Sequence, residues 1–337
     1  MPKPALTFFT ELKPKPLVNL FNNPDVIDQL QTLRAAVSLG ILDLSEERAG
    51  VVRKLNKAGI PVIAWLLLPE EEGYWFNSDN YEAAMTRYFA FREWTAEHDL
   101  KWSGVGLDIE MDINKMRQIM EEKQGGEFVS TLFKRFRDKR RVGDARQAYK
   151  LLVEQIHADG YLVESYHLPV IADERRADAT VLQRTMGLVD VETDWEVLML
   201  YSSFIRPNGA GTLWSYAPQA DSVGVGNTGG GVEVEGVIDI PPLSWDEFSR
   251  DLRLCVMQDK PVHIFCLEGC VAQGFLEKLP NFDWDKTVPV PSDASKVRFM
   301  RTGLTTGLWL LQRPWVILLS IASLIGLAFL FKKSEDK

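Results

Sequence analysis

Eight short apolar, β-branched runs, separated by amphipathic stretches, limit what this chain can fold into more than any other feature. In order they read ALTFFTEL, AAVSLGIL, PVIAWLLL, GVGLDIE, YLVESYH, EVLMLYS, SVGVGN and PVHIFCLEG. The intervening segments carry helix signals. SEERAGVVRKLNKAG (Ser45 to Gly59) has a Ser N-cap, acids in its first turn and a closing Gly, and SWDEFSRDLRLCVMQDK (Ser244 to Lys260) opens the same way. Nearly continuous hydrophobicity in several runs suits strands covered on both faces of a parallel sheet. Eight strand–helix alternations ending near residue 269 predict an α/β fold, a (β/α)8 TIM barrel over residues 1–290. An open doubly wound sheet is the alternative, but it wants a Gly-rich phosphate loop after the first strand, where TELKPKP stands instead.

The chain does not stop at the barrel. DKTVPVPSDASK, rich in Pro and small polar residues, predicts a linker over residues 285–303. From Pro314 to Phe331 no charged residue occurs, and with the preceding GLTTGLWLLQ the stretch is long enough for a hydrocarbon core of roughly 30 Å. A C-terminal transmembrane helix over 306–331 is expected, a single-pass anchor that leaves the barrel on the cytoplasmic side because no secretory signal precedes it. A net charge of −9 argues against a nucleic-acid partner. The one basic cluster, KRFRDKRR at Lys134 to Arg141, reads as a solvated face. Cys255, Cys266 and Cys270 form no regular disulfide or metal-ligand spacing, so no metal and no cofactor is expected.

Active sites of such barrels lie at the C-terminal ends of the strands. The polar residues placed there are Glu11, Asp43, Asp108 and Glu110, Glu164 and His167, Tyr201, Asn227 and Glu268. The fourth run is the most unusual, because Asp108, Glu110 and Asp112 alternate, and residues two apart on a strand share a face. Carboxylates so crowded need a cation, a metal, solvent, or a task that uses a raised pKa; Asp112 has the plainer role of capping the next helix. After the third run, Tyr74, Trp75 and Phe76 stand together in a loop and offer flat apolar faces of the kind a sugar ring packs on.

The segment SGVGLDIE resembles the fourth-strand signature of family 18 glycoside hydrolases, the chitinase-like barrels, which runs Asp-Gly-x-Asp-x-Asp-x-Glu. Gly104, Asp108 and Glu110 match, whereas Ser103 and Gly106 replace aspartates. Met199-Leu200-Tyr201-Ser202 is similar to the family's Met-x-Tyr-Asp, with Ser202 in place of the aspartate. The resemblance implies Glu110 as general acid, Asp108 orienting the substrate's acetamido group, and Tyr201 donating a hydrogen bond to it. A site rebuilt around two carboxylates would instead pair Glu110 with Glu268, Glu11 or Glu164, at roughly 5–5.5 Å for retention or 6.5–9.5 Å for inversion. Two further functions compete: a barrel that binds a glycan or partner without turnover, and a metal-dependent phosphodiesterase, for which His167 is the one well-placed histidine.

Overall fold

The computed structural model describes residues 2–121, 134–231 and 240–316, with Leu319 and Ser323. Strands β1 (Leu6–Thr10), β2 (Ala36–Ile41), β3 (Val62–Leu66), β4 (Gly104–Ile109), β5 (Val163–His167), β6 (Trp195–Met199), β7 (Ser222–Gly226) and β8 (Val262–Phe265) pair in sequence order and close into a barrel. All eight pairings are parallel, β8 on β1 included. The expected (β/α)8 architecture is therefore present, each strand falling within one of the eight runs except β6, which begins one residue before its run, at Trp195.

Side chains alternate between two apolar layers, which is why the runs look continuously hydrophobic. Phe8, Val37, Leu39, Leu107 and Ile264 point outward into the shell between barrel and helices. Phe9, Trp65, Tyr166, Val197 and Met199 fill the interior. Each such side chain contributes about 1.5–3 kcal/mol when buried, so both layers hold the barrel shut.

The outer helices are α1 (Pro14–Asn22), α2 (Pro24–Thr32), α3 (Glu46–Lys57), α4 (Tyr81–Glu97), α5 (Ile113–Glu121), α6 (Lys139–Ala158), α7 (Val170–Ala177), α8 (Val181–Met186), α9 (Gly209–Tyr216), α10 (Trp245–Met257), α11 (Leu267–Ala272) and α12 (Ala294–Gln312). Helix starts follow the sequence signals. Ser45 accepts from Arg48 N at 3.3 Å, and Ser244 and Glu247 cap each other reciprocally. The basic cluster is not simply solvated: Arg135 and Arg141 reach Asp79 with Lys115, and Lys115 and Arg141 hold its carboxyl down at about 2 against the opposing effect of burial.

The C-terminal segment differs from expectation. Residues 294–303 are the first half of α12, packed against α7 and α9, rather than a linker. The reason is Arg301, only 5% exposed, whose guanidinium bonds Asp173 of α7 at 2.9 and 3.0 Å and Gln219 at 2.7 Å and lies on the Tyr216 ring. Proline and small residues upstream gave no sign of that anchor point. Arg313 leaves helical geometry just before Pro314, as a pre-proline residue tends to. Among the described residues no helix is long and apolar enough to cross a membrane, and half of the expected span, 317–331 apart from Leu319 and Ser323, lies outside them.

Candidate active site

The end of β4 stays extended because the loop after β3 adds to it: Phe76 N donates to Asp108 O at 2.9 Å, and Glu110 N to Phe76 O at 3.1 Å. The two-residue alternation therefore runs through Asp108 to Glu110, and both carboxyls face the barrel mouth. Asp112 leaves the series; its Oδ1 accepts from Asn114 N at 2.9 Å and caps α5.

Asp108 is 2% exposed. Trp65 Nε1 donates to its Oδ2 at 3.1 Å, while Oδ1 has no hydrogen-bond partner among the described residues. Burial raises its pKa, and the neighbouring charges of Glu110 and Glu11 raise it further. Burial also pushes Glu110 up to about 7, offset in part by a hydrogen bond with Asp108. Two carboxyls in this relation titrate as a pair, and burial favours keeping a proton on that pair.

Around the pair stand the other mouth residues. Tyr74 is buried and donates to Glu11 Oε1, and Glu11 N donates to Glu268 Oε1 at 3.3 Å. Burial raises the pKa of Glu268, whose Oε2 has no hydrogen-bond partner among the described residues. Tyr201 stacks on Phe265 at 5.5 Å between ring centres. Burial and the charges of Asp108, Glu110 and Glu11 keep its hydroxyl protonated, so it is a donor at neutral pH. Glycine makes room for it: a Cβ on Gly224 or Gly226 would come within 3.1 or 3.3 Å of the Tyr201 ring. Trp75, partly exposed, meets Tyr74 edge to face at 5.4 Å.

Several expected site residues lie elsewhere. His167 points out of the barrel, 1% exposed, and burial among the shell residues lowers its pKa. On β5 it is the odd-numbered face, with Ser165, that turns outward. Glu164 does point inward, but it pairs in register with Gly106, two residues below Asp108, and is held by His263 at 3.2 Å and Tyr166 at 3.1 Å. Asn227 shapes its loop: its Oδ1 accepts from Gly229 N at 2.6 Å. Asp43 is bound by Arg48 at 2.8 Å and by Ser45; these contacts lower its pKa despite burial. Tyr74 and Phe76 are both buried, so only Trp75 of the aromatic trio offers an open face.

The sequence reading also passed over residues that shape the site. Trp65 and Phe265 looked like ordinary strand residues. The glycines after β7 carried a signal: Gly229, Gly230 and Gly231 all have positive φ, and a Cβ on Gly230 or Gly231 would lie 2.8 Å from Glu268 or 2.5 Å from Phe265. The loop presses on the mouth where only glycine fits. A second absence is now explained. A Cβ on Gly106 would sit 2.3 Å from Tyr166 Oη, so Tyr166 occupies the volume in which the resemblance expects an aspartate. Ser202 turns away from the mouth and donates to Asp251.

A cavity of about 910 Å³ lies far from these residues, on the outer flank between α6 and the approach to β6. Its ionic groups already satisfy one another: His157 meets Asp194 at 2.7 Å, and Arg175 meets Asp190 and Glu196 at 2.5 and 2.6 Å. At the mouth, by contrast, the raised carboxyls of Asp108, Glu110 and Glu268 have no basic partner among the described residues. Among the described residues no cluster of Cys, His, Asp and Glu has the arrangement of a metal site.

No protein-family model matches the chain, and no curated protein matches it. Among solved structures it is similar to the tryptophan synthase alpha-subunit of the hyperthermophile Pyrococcus furiosus, at 13% identity over 83% of this chain and 97% of that one, with a TM-score of 0.41. It is also similar to a D-allulose 3-epimerase from Methylomonas sp., at 11% identity over 89% of this chain and 99% of that one, with a TM-score of 0.39. At such similarity the TIM barrel rests on its own strand pairing.

Proposed function

We propose that the chain is a glycoside hydrolase of the chitinase-like kind, with Glu110 as general acid. The observation that carries this reading is the coupled pair at the end of β4, in which burial holds Glu110 protonated up to about 7 while Asp108 lies beside it. A general acid must keep its proton near neutrality and have somewhere to draw it from. Glu110 gives its proton to the glycosidic oxygen as the bond from C1 breaks. The substrate's own acetamido carbonyl oxygen closes on C1, with Asp108 accepting from the acetamido N–H and Tyr201 donating to the same group. Water then opens the intermediate as Glu110 takes the proton back.

Substrate assistance is preferred to a protein nucleophile on one ground: burial raises the pKa of Glu268, the wrong direction for a carboxylate that must attack in its ionised form. Trp75 supports the sugar ring. The missing aspartates weigh less than the sequence implied, because Tyr166 fills the volume beside Gly106 and the Trp65 indole bonds Asp108. We further place residues 314–331 in a membrane, with the barrel on the cytoplasmic side. Protease added outside intact cells then leaves the barrel whole.

The test is a panel of chromogenic glycosides, N-acetylated and not. Turnover is expected with an N-acetylhexosaminide. Turnover only of sugars lacking the acetamido group overturns substrate assistance. Silence across the panel, with glycan affinity unchanged in Glu110→Gln, makes the barrel a binding module, and inhibition by chelator makes it a metal enzyme.

A further inference from the structure

Helix α12 has two apolar sides, and the barrel covers only one. Val297, Arg301 and Leu308 face α7 and α9 and are buried. On the other side Phe299 is 80% exposed, Met300 55% and Leu311 48%, and no charged residue occurs between Arg301 and Arg313. The strip continues past the break at Arg313 through Trp315 and Leu319, 59% and 58% exposed. Large apolar side chains left in water forgo the stabilisation of burial, and contiguous strips of this kind mark contact surfaces.

The direction of α12 settles how such a contact would hold the barrel. Asp293, at its start, accepts from Gly211 N at 3.1 Å, beside the first turn of α9. At its end, Arg313 Nη1 donates to Ala177 O at 3.1 Å, beside the last turn of α7. Both α7 and α9 follow the C-terminal ends of strands, so they run away from the mouth. Helix α12 therefore runs the same way, and the chain leaves the barrel at the end opposite the acidic residues.

We infer that the outer face of α12 lies on a lipid bilayer, with the barrel axis along the membrane plane and the mouth opening sideways along its surface. The inference rests on the anchor reading above. Its occupant follows from chain continuity: beyond Arg313 the strip leads into the residues Pro314 to Phe331, none of them charged. Trp309 and Trp315 have the amphipathic rings that favour the headgroup level. Lys296 and Arg298, exposed near the start of the helix, can reach anionic headgroups.

The experiment uses the full chain in vesicles of phosphatidylcholine with a minority of phosphatidylglycerol. The three native cysteines are buried, so a spin label can be directed to Phe299→Cys, Leu311→Cys, and Lys57→Cys on α3 across the barrel. A further label at Ile325→Cys reports on the anchor itself. Lipid-dissolved oxygen should relax the labels at 299 and 311 more than an aqueous nickel chelate does, with the order reversed at 57. Aqueous behaviour at 299 and 311 with a lipid-exposed 325 overturns flank docking and keeps the anchor; aqueous behaviour at all three removes both. Shielding of 299 and 311 from both agents assigns the face to a second copy or to the chain's own tail, and likewise overturns the proposal. Phe299→Glu with Met300→Glu should return the label at 311 to water while 325 stays in lipid.

Discussion

Two sets of buried carboxyls lie within one barrel, two residue layers apart, and they are treated in opposite ways. On the floor, Glu164 is held by His263 and Tyr166, whose hydroxyl also meets Ser38 at 2.8 Å, and His263 Nδ1 lies 2.8 Å from Ser222 Oγ. Burial alone would raise the pKa of Glu164, yet His263 and Tyr166 bring it below the ordinary value. At the mouth, Asp108 and Glu110 have each other and the Trp65 indole, and their pKa values rise. Burial is common to both sets; the partner decides the sign. A floor carboxylate locked in its charged form serves the fold, whereas a pair that shares a proton is equipped to transfer one.

If that distinction holds, the largest effect belongs to the mouth. Glu110→Gln keeps the shape and removes the proton, so kcat on a responsive glycoside should fall by roughly two to four decades. Thermal stability should stay unchanged or rise. Turnover kept within a few-fold would break the comparison outright.

Next comes the floor, where the effect moves to stability. His263→Ala leaves Glu164 without its closest basic partner in a buried layer, and removing one member of such a pair costs about 3–5 kcal/mol. Urea midpoints measure it. Residual activity per folded molecule should be close to wild type, and a variant that folds normally but is inactive would make the floor part of the chemistry.

How far these layers could be read beforehand follows from what periodicity carries. Period two placed Asp108 and Glu110 on one face, and strand-end logic placed them at the mouth with Tyr201, Glu11 and Glu268. Eight runs bounded by capped helices gave the barrel. What the pattern lacks is depth and absolute phase. Glu164 and His167 differ by three positions on β5, so they occupy opposite faces, and only the pairing of Glu164 with Gly106 shows how deep it lies. Nor could the sequence tell that a departure at residue 106 has its cause at residue 166, 60 positions away in the chain. The docking of α12 by Arg301 was hidden for the same reason, since its partner Asp173 is remote.

That hidden coupling provides a sharper test of the boundary between the layers. Gly106→Asp forces a side chain into the volume of Tyr166 and should cost about 1–3 kcal/mol, as overpacking does. Tyr166→Ser alone leaves a void and breaks the bonds to Ser38 and Glu164. Together the two changes should cost less than the sum of the single costs, because the aspartate fills what the tyrosine vacates. Strict additivity in urea midpoints would mean that Tyr166 does not occupy that space.

The smallest expected effect tests the sign of the mouth directly. Glu110 is raised from 4.5 to about 7, so between those pH values the native state binds more protons than the unfolded chain. Stability from this group is then greatest below about 4.5 and is lost as pH rises toward 7, the reverse of what a salt-bridged carboxylate such as Asp79 contributes. Glu110→Gln cannot ionise and lacks the loss, while Asp108, freed of its neighbour's charge, titrates more easily. Wild type and variant should therefore match near pH 4.5 and separate by on the order of 1 kcal/mol at pH 8, with the variant the more stable, once solvent access to Glu110 is allowed for. Denaturant midpoints across that range measure the gap. A gap that opens in favour of wild type would mean that the mouth, like the floor, prefers its carboxyls charged, and the opposition between the two layers would disappear.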